Sequence, residues 1–476
     1  MVTKINYNQM VKTIVAEDSL QDKLTSLAKN GAFQIGLLIG QCSPEKDFIA
    51  HLAPTPTIDE GDLSSEEDEA VPKSDQIRSK APDSIAKIVD AVLAQHTRQV
   101  VRMLPGGLDI IGIYVVTPQS DFSSSANQSK LRSILGAVHR TASKILLGTV
   151  ESTAEKCILH VCTQTLKIVC KSQDVSTTAP SIMSTVDLKF QRGGVRWQQL
   201  SYKYNINLNF WLPKDKSTQS LYKMVLTYIK PWADSVSSSL ILIDSELPDD
   251  SDLLDPDAEE KPTKKKGGRG VMELTPPKVF NVEILDSCVP STNSDGKLES
   301  SGSLRLIGAL AGLAFVHSKA TVGEARAAVL VDLVRSVVSR WEMHCDSLIE
   351  EPPSHLIGPI IHEPPRRVFL EGGGLPVSLC DYLFPGDTSA DACQSAQELL
   401  GVKVRDEHVD DTLETFKEVE TIEDVVPGEE EIHEHGSTIR SGPASCPIAY
   451  VMLAVAVGIV GLGLSYVTLQ GDKMVT

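Results

Sequence analysis

The sequence predicts a mixed α/β (α+β) protein followed by an acidic stretch and one apolar C-terminal segment. Apolar runs of strand length alternate with amphipathic helical runs between residues 19 and 384. Hydrophobic residues make up 41% and aromatic residues 5% of the 476 residues, a composition typical of a packed globular body. The last 30 residues contain a 23-residue run without any charge. A chain of 476 residues has room for two or three compact units, and the uncharged run is long enough for one membrane-spanning helix.

The net charge of −18 is concentrated in three stretches of the chain. Residues 59–83 hold nine acids against three bases, and residues 246–270 hold eight against five. Residues 403–440 hold thirteen acids against four bases, which completes the whole excess. Runs of like charge repel and stay solvated, so we expect loops and linkers there. The acidic balance excludes a general nucleic-acid binder, which would carry a basic field.

The nine cysteines do not indicate a disulfide framework, since their number is odd and the chain is long. Free thiols on this scale are typical of a reducing compartment. We therefore expect the body of the protein to face the cytosol.

The uncharged run, Pro447–Leu469, predicts a transmembrane helix. At 1.5 Å per residue it spans about 35 Å, enough to cross a hydrocarbon core of about 30 Å. Tyrosines near both ends are suited to the membrane interface, and small residues four apart allow a helix–helix contact. The residues that we expect to form this anchor include Ile448, Tyr450, Gly458, Gly461, Tyr466 and Leu469.

The position of the apolar run predicts a tail anchor. The first twenty residues contain no run resembling a signal peptide, and only seven residues follow the span. Such a segment leaves the ribosome after synthesis has ended, so insertion would be post-translational. We expect a single-pass protein with residues 1–446 in the cytosol.

Between residues 19 and 147 the sequence predicts a series of helices and strands. Leucines on one face predict a helix over Ser19–Lys29, and a strand-length apolar run predicts a hairpin of Ala32–Gly40 with Asp47–Ala53. Asp83 or Ser84 is expected to cap a helix that ends at Leu104. The β-rich run Leu108–Val116 predicts a buried central strand. On the helix capped by Asp83 or Ser84 we expect Ile85, Ile88, Val89 and Val92 to face inward. A further amphipathic helix is expected over Lys130–Leu147.

Further strands and helices are predicted over the rest of the chain, and those beyond the linker form a second α/β unit. β-like stretches are expected over Cys157–Cys170 and over Trp197–Leu212, where apolar and polar residues alternate, with a helix near Gln219–Ile229. Beyond the linker we expect strands over Lys278–Cys288, Ser303–His317, Arg367–Leu370 and Val377–Phe384, and a helix over Ala320–Ile349. The predicted divisions are a first domain 1–245 with an acidic loop 59–83, a linker 246–277, a second domain 278–402, a disordered acidic tether 403–446, and the span 447–469.

Known catalytic motifs are missing from the sequence. It contains no P-loop, dinucleotide fingerprint, HExxH helix, GxSxG turn or paired CxxC, so no catalytic residue, metal site or cofactor is predicted. Cys380 is the one residue that a search for nucleophiles would select. A nucleophilic thiol needs a nearby base, and the sequence identifies none, so we expect a buried structural cysteine.

The heptapeptide Gly112–Pro118, GIYVVTP, lies in a region that resembles the MPN fold of metalloproteases. Active MPN proteins have a strand reading G-[WY]-Y-H-S-H-P, whose two histidines bind zinc, with a serine and an aspartate downstream. In this frame Val115 and Thr117 stand at the histidine positions, Ser125 matches the serine, and Gln128 replaces the aspartate. Valine has no lone pair to donate, so this alignment predicts that no metal binds. Taken alone, the heptapeptide also fits a strand that ends in a turn.

Several segments together resemble the family of the odorant-response-abnormal protein four. They occur in order over nearly the whole chain and are GLLIGQCSPEKDF (36–48), RMLPGGLDIIGIYVV (102–116), LHVCTQTLKIVC (159–170), RRVFLEGGGLPVSLCDYLF (366–384) and the C-terminal span. The resemblance implies a non-enzymatic, tail-anchored protein of the endoplasmic reticulum that helps deliver certain G-protein-coupled receptors. It also implies association with a cysteine protease of the ufmylation pathway. The acidic insert at 59–83 and the acidic tether depart from the family.

Two functional hypotheses follow. The first is a membrane-anchored adaptor with a catalytically silent MPN-like domain, which pairs with the MPN-like part of the ufmylation protease and raises its effective concentration at the membrane. The alternative is a hydrolase, either a degenerate MPN metalloprotease or a cysteine hydrolase using Cys380. The residues of the partner interface are not predicted by the sequence.

Overall fold

The structure, a computed structural model, describes residues 12–56, 82–148, 153–176, 183–192, 195–213, 220–256, 278–286, 300–350 and 363–414. Within these ranges the chain has a mixed α/β architecture, as predicted. The strands are β1 (Thr13–Glu17), β2 (Gln34–Cys42), β3 (Lys46–Pro54), β4 (Asp109–Thr117), β5 (Glu155–Cys162), β6 (Ile168–Asp174), β7 (Ser184–Gln191), β8 (Trp197–Pro213), β9 (Leu240–Ile243), β10 (Val279–Leu285), β11 (Ser300–His317), β12 (Arg366–Leu370), β13 (Leu379–Leu383) and β14 (Val409–Asp410). The helices are α1 (Asp18–Lys29), α2 (Asp90–Arg102), α3 (Gln119–Ser123), α4 (Ser125–Lys144), α5 (Leu221–Val236), α6 (Val322–Glu350) and α7 (Ser389–Leu400).

The first seven strands form a closed barrel in the order β1-β3-β2-β4-β5-β6-β7. Strand β1 lies parallel to both β3 and β7 and so closes the barrel, while β4 and β5 are also parallel. One face of the barrel strands packs on the apolar side of α1, formed by Leu20, Leu24 and Ala28. The other face packs against α2 and α4. Both faces of β4 are therefore buried, which explains its unbroken run of apolar residues.

A second sheet has the order β11-β8-β10-β9. Its long β8–β11 pair is antiparallel, and Tyr202, Tyr204, Ile206 and Phe210 of β8 alternate inward as the sequence predicted. Helices α5 and α6 lie against this inner face and share its core. A third sheet, β13-β12-β14, completes the described fold.

The buried carboxylate of Asp332 on α6 joins these parts. It accepts hydrogen bonds from the backbone N–H of Gly106 (2.8 Å), ahead of barrel strand β4, and from the Tyr202 hydroxyl (2.7 Å) on β8. Arg367 of β12 donates two further bonds of 2.8 Å, with both side chains at most 1% exposed. A Cβ on Gly106 would lie 2.1 Å from the carbonyl oxygen of Ala328, so only glycine permits this close approach to α6.

The helix expected from Asp83 or Ser84 begins later than predicted, at Asp90. Residues Ile85–Lys87 form a short 3₁₀ turn, and the backbone is extended at Ile88 and Val89. Asp90 then binds α4 through Lys130 (2.7 Å) and Ser133 (2.9 Å). Ile85 and Ile88 are buried as predicted, whereas Val89 is 58% exposed and Val92 is only partly buried. The buried residues of α2 are Leu93, His96, Thr97, Val100 and Val101.

The structure does not divide where the sequence suggested, between residues 245 and 278. Strands β8 and β9 precede the predicted linker and β10 and β11 follow it, yet all four share one sheet. Residues 246–256 of that linker are held against α6, where Arg326 donates to the carbonyl oxygen of Pro248 (2.9 Å) and pairs with Asp250. The described residues from Lys12 to Glu414 accordingly form one compact unit.

The predicted disordered tether, 403–446, begins too early. Residues 403–414 belong to the fold, since β14 pairs with β12 and the Glu414 carboxylate is buried. Glu414 accepts two hydrogen bonds of 2.7 Å from Arg340 and one of 2.8 Å from the backbone N–H of Ala311. The high acidic content of this stretch predicted a solvated tether. Glu414 is nevertheless buried, because the buried Arg340 compensates the charge of its carboxylate. Helix α7 and strands β1, β7 and β9 were not predicted.

The predicted span, Pro447–Leu469, lies outside the described residues, as does the acidic loop 59–81. Among the helices that the structure describes, none has both the length and the apolar composition required to cross a bilayer.

Replacing Glu414 by Gln is expected to destabilise the fold by about 3–5 kcal/mol, because Arg340 would be left buried without a counter-charge. Glu407→Gln is the matched control, since Glu407 pairs with Arg405 in the same stretch but both are exposed. That control is expected to cost less than about 1 kcal/mol. Chemical denaturation of the purified variants measures both; equal losses would contradict the assignment of Glu414 to the core.

Acidification is expected to destabilise the protein through two buried histidines. His51 and His96 donate from Nε2 to the carbonyl oxygens of Leu400 and Leu399 (2.8 Å each), at the end of α7. Burial lowers the pKa of each from 6.5 to about 4. The unfolded chain therefore binds more protons than the folded chain between these values, and stability falls as the pH drops from about 6.5 to about 4.

The free energy of unfolding, measured by denaturation at a series of pH values, tests this expectation. Each histidine accounts for at most about 3 kcal/mol across that window. His96→Gln retains a hydrogen-bond donor but has no group that titrates in this window. Its free energy of unfolding should therefore change less steeply with pH than that of the wild type. An unchanged slope in both His51→Gln and His96→Gln would contradict the assignment.

Candidate functional site

Strand β4 carries Val115 and Thr117, the two residues that the resemblance to MPN metalloproteases aligns with zinc histidines. Its β-branched residues pair with β2 on one side and β5 on the other, so the strand lies in the barrel wall. Val115 and Thr117 lie two residues apart on one face, as the motif requires, and are 0% and 1% exposed. Val115 packs in the apolar core beside α4.

Thr117 takes part in a hydrogen-bonded network that closes this end of β4. Its hydroxyl donates to the Asp121 carboxylate of α3 (2.8 Å), and Asn127 of α4 donates to the same carboxylate (2.6 Å). The Asn127 amide also donates to the backbone carbonyl of Asp121 (2.9 Å), and the backbone N–H of Ile85 donates to its carboxylate (3.3 Å). We call Thr117, Asp121 and Asn127 the strand-end network.

A histidine lies beside the strand-end network but is committed to the backbone. His160 of β5 donates from Nε2 to the carbonyl oxygen of Thr117 (3.1 Å). Its ring stacks in parallel on Phe122, with centroids 4.0 Å apart, and Lys171 lies 5.1 Å from the centroid of Phe122. Burial lowers the pKa of His160, so the imidazole is neutral at physiological pH. Its Nδ1 has no hydrogen-bond partner in the part of the chain that the structure describes.

The side chains of the strand-end network form hydrogen bonds with one another, as in a folded core, and do not leave their lone pairs free for a metal ion. Catalytic zinc requires three protein ligands with free lone pairs and an open coordination position. Here Asp121 is engaged by Thr117 and Asn127, and His160 donates to a carbonyl. In the described ranges no three His, Cys, Asp or Glu side chains are placed to hold a metal ion.

The other two positions of the motif lie in the first turn of α4. Ser125 is exposed and Gln128 is partly exposed, and the backbone N–H of Gln128 donates to the carbonyl of Ser124 (2.9 Å). The residues that complete the network, Asp121 and Asn127, were not predicted. Polar residues next to helix starts were the available signal, but such residues usually act as caps.

Cys380 is buried as expected and is not available to a substrate. Its side chain is 0% exposed, and Arg367 donates to its Sγ over 3.1 Å. Burial raises the pKa of the thiol, which disfavours the nucleophilic thiolate. The hydrolase hypothesis based on Cys380 therefore conflicts with the structure.

Comparison with known families shows to which family the chain belongs. The family model ODR4-like (Odorant response abnormal 4-like) matches residues 36–411. The chain belongs to the ODR4-like family. Relatives include a human protein odr-4 homolog, 30% identical and covering 85% of this chain and 87% of its own length. A mouse odr-4 homolog is 28% identical, covering 87% of each chain.

More distant similarity extends to other animals and to one solved structure. The odorant response abnormal protein 4 of Caenorhabditis elegans is 23% identical and covers 88% of this chain and 85% of its own. The crystal structure of UfSP from C. elegans aligns with 82% of this ODR4-like chain and 57% of its own, at 7% identity and a TM-score of 0.38. A likeness of this size supports no conclusion about fold or function.

Removing the Thr117 hydroxyl is expected to weaken the fold without affecting any catalytic step. Thr117→Val is nearly isosteric and leaves the Asp121 carboxylate with one hydrogen bond fewer, at a cost of about 1–3 kcal/mol. Ser125→Ala, at the exposed motif position, is expected to change stability by less than about 0.5 kcal/mol. Thermal or chemical denaturation compares the two; a neutral Thr117→Val would contradict a structural role for the network.

Proposed function

We propose that this ODR4-like protein is a non-enzymatic adaptor that is anchored to the endoplasmic reticulum membrane by Pro447–Leu469. In this proposal the body, residues 1–446, faces the cytosol and recruits a ufmylation-specific cysteine protease. Through that recruitment it supports the folding or trafficking of a subset of G-protein-coupled receptors. No cofactor is required.

The observation that carries the non-enzymatic part is the burial of the motif positions. Val115 and Thr117 are at most 1% exposed, so neither side chain can meet a substrate or a catalytic water. The trafficking part rests on membership of a family named for an abnormal odorant response, matched over residues 36–411. The anchor rests on the uncharged 23-residue run, and an anchored adaptor raises the local concentration of its partner without new chemistry.

The protease part of the proposal predicts a direct complex. MPN-like domains commonly pair, so we expect a heterodimer formed through the MPN-like region of each protein. Co-purification of the full-length protein from detergent-solubilised membranes should yield the protease in near-stoichiometric amount, measured by mass spectrometry. Deleting residues 447–469 should release both proteins from the membrane fraction and leave their complex intact. Loss of the complex with the anchor would contradict a cytosolic docking surface.

Elemental analysis separates the adaptor from a degenerate metalloprotease. We expect far less than one zinc per chain in the purified protein, and no change in Thr117→Val. One zinc per chain that is lost in Asp121→Asn would overturn the argument from the strand-end network.

A further inference from the structure

The end of the described chain is held to the fold by few buried side chains. We call residues 403–414 the strap. None of the side chains from Lys403 to Leu413 is fully buried, and Asp406–His408 form a 3₁₀ turn. The strap pairs with β12 through the two residues of β14. Glu414, which is 5% exposed, is the buried side chain that fixes the end of the strap.

The Glu414 carboxylate is surrounded by hydrogen-bond donors. Each of its oxygens accepts one bond of 2.7 Å from the Arg340 guanidinium and one of 2.8 Å from a backbone N–H. These two N–H groups belong to Ala311 of β11 and to Arg367 of β12. The guanidinium also donates to the carbonyl oxygen of Pro365 (2.8 Å), which fixes its position. Donors directed at two oxygens in this way select a carboxylate, so we call this group the carboxylate pocket.

The ion pair at the end of the strap gains less from burial than its short distances suggest. The side chains of Arg340 and Glu414 are 4% and 5% exposed, so both charges have lost most of their water. The free energy lost with that water offsets much of their attraction. When the strap leaves, Glu414 and the part of Arg340 that it covered are hydrated again, and opening recovers this cost. A short ladder and one desolvated ion pair therefore allow the strap to open before the rest of the fold.

We propose that the strap is a releasable cover, and that the carboxylate pocket beneath it binds an extended acidic segment of a partner protein in place of Glu414. Opening frees the N–H groups of Ala311 and Arg367 together with the edge of β12 that pairs with β14. An extended segment can pair with such an edge through its backbone. A carboxylate four residues beyond the last paired residue would then reach Arg340, as Glu414 does after Asp410. The strap thus competes with the partner for one pocket.

Hydrogen exchange at single-residue resolution in the full-length protein tests the opening, because two N–H groups of β11 have different acceptors. Ala311 donates to Glu414 of the strap, whereas Phe315 donates to the carbonyl oxygen of Gly106, which lies outside the strap. In the wild type we expect the N–H of Ala311 to exchange at least about tenfold faster than that of Phe315, since opening of the strap exposes only the first. Equal protection of the two N–H groups would overturn the proposal, because the strap would then open only with the whole fold.

An amidated, fluorescently labelled peptide with the sequence of residues 403–416 tests the pocket in trans. We expect it to bind the full-length Glu414→Gln variant, whose own strap no longer supplies a carboxylate. Binding to the wild type should be at least about tenfold weaker, because the strap occupies the pocket there. The matched control is the same peptide carrying Glu414→Gln, which should bind the variant at least about tenfold more weakly than the acidic peptide.

Fluorescence anisotropy measures each affinity, and far-ultraviolet circular dichroism verifies that the variant is folded. Equal binding of the two peptides to the variant would overturn the proposal, because the pocket would then not select a carboxylate. Failure of the acidic peptide to bind the folded variant would also overturn it. If the variant does not fold, the exchange rates of Ala311 and Phe315 in the wild type decide the question.

Discussion

The buried ion pair between Asp332 and Arg367 is the contact on which the arrangement of the fold depends. One carboxylate binds the loop before β4, a tyrosine of β8 and an arginine of β12, so the barrel and both smaller sheets meet at α6. A buried carboxylate is stable only when its charge and lone pairs are satisfied. Displacement of β12 would therefore leave a buried charge unpaired, and displacement of β8 or of the loop before β4 would leave the carboxylate with one hydrogen bond fewer, which favours a single relative placement of these elements.

The same ion pair lies beside the buried thiol of Cys380. Arg367 lies between Asp332 and the Cys380 thiol, and β13 is held by the bond from the backbone N–H of Cys380 to the carbonyl of Met103 (2.9 Å). The thiol therefore lies inside a polar cluster that serves packing. The strand-end network has a similar character, since Thr117 and Asn127 both donate hydrogen bonds to the Asp121 carboxylate.

Local sequence patterns were sufficient to predict α1, β4 and β8. The leucine face of α1 and the alternation in β8 reflect periods of 3.6 and two residues, and the unbroken apolar run of β4 reflects the burial of both its faces. Two other elements were missed for different reasons. Strand β7 alternates Val186, Leu188 and Phe190 with polar residues but is short and mostly exposed, and α7 holds small and polar residues whose buried side consists largely of alanine. Val115 and Thr117 could be selected from the sequence because they stand in a recognisable heptapeptide, whereas Asp121 and Asn127 of the strand-end network stand in no motif.

The sequence by itself determined the family and the mixed α/β class, because both depend on residue identity and order. Only the tertiary structure decided which distant segments meet. Glu414 looked like part of a solvated acidic tether, and became a core residue because Arg340, 74 positions earlier, compensates its charge. In the same way, Arg326 of α6 holds residues 246–256 of the predicted linker through Pro248 and Asp250, and β10 pairs with β8 across the predicted boundary at 278. Composition reports the average environment of a stretch, whereas burial of one charged side chain depends on a single partner.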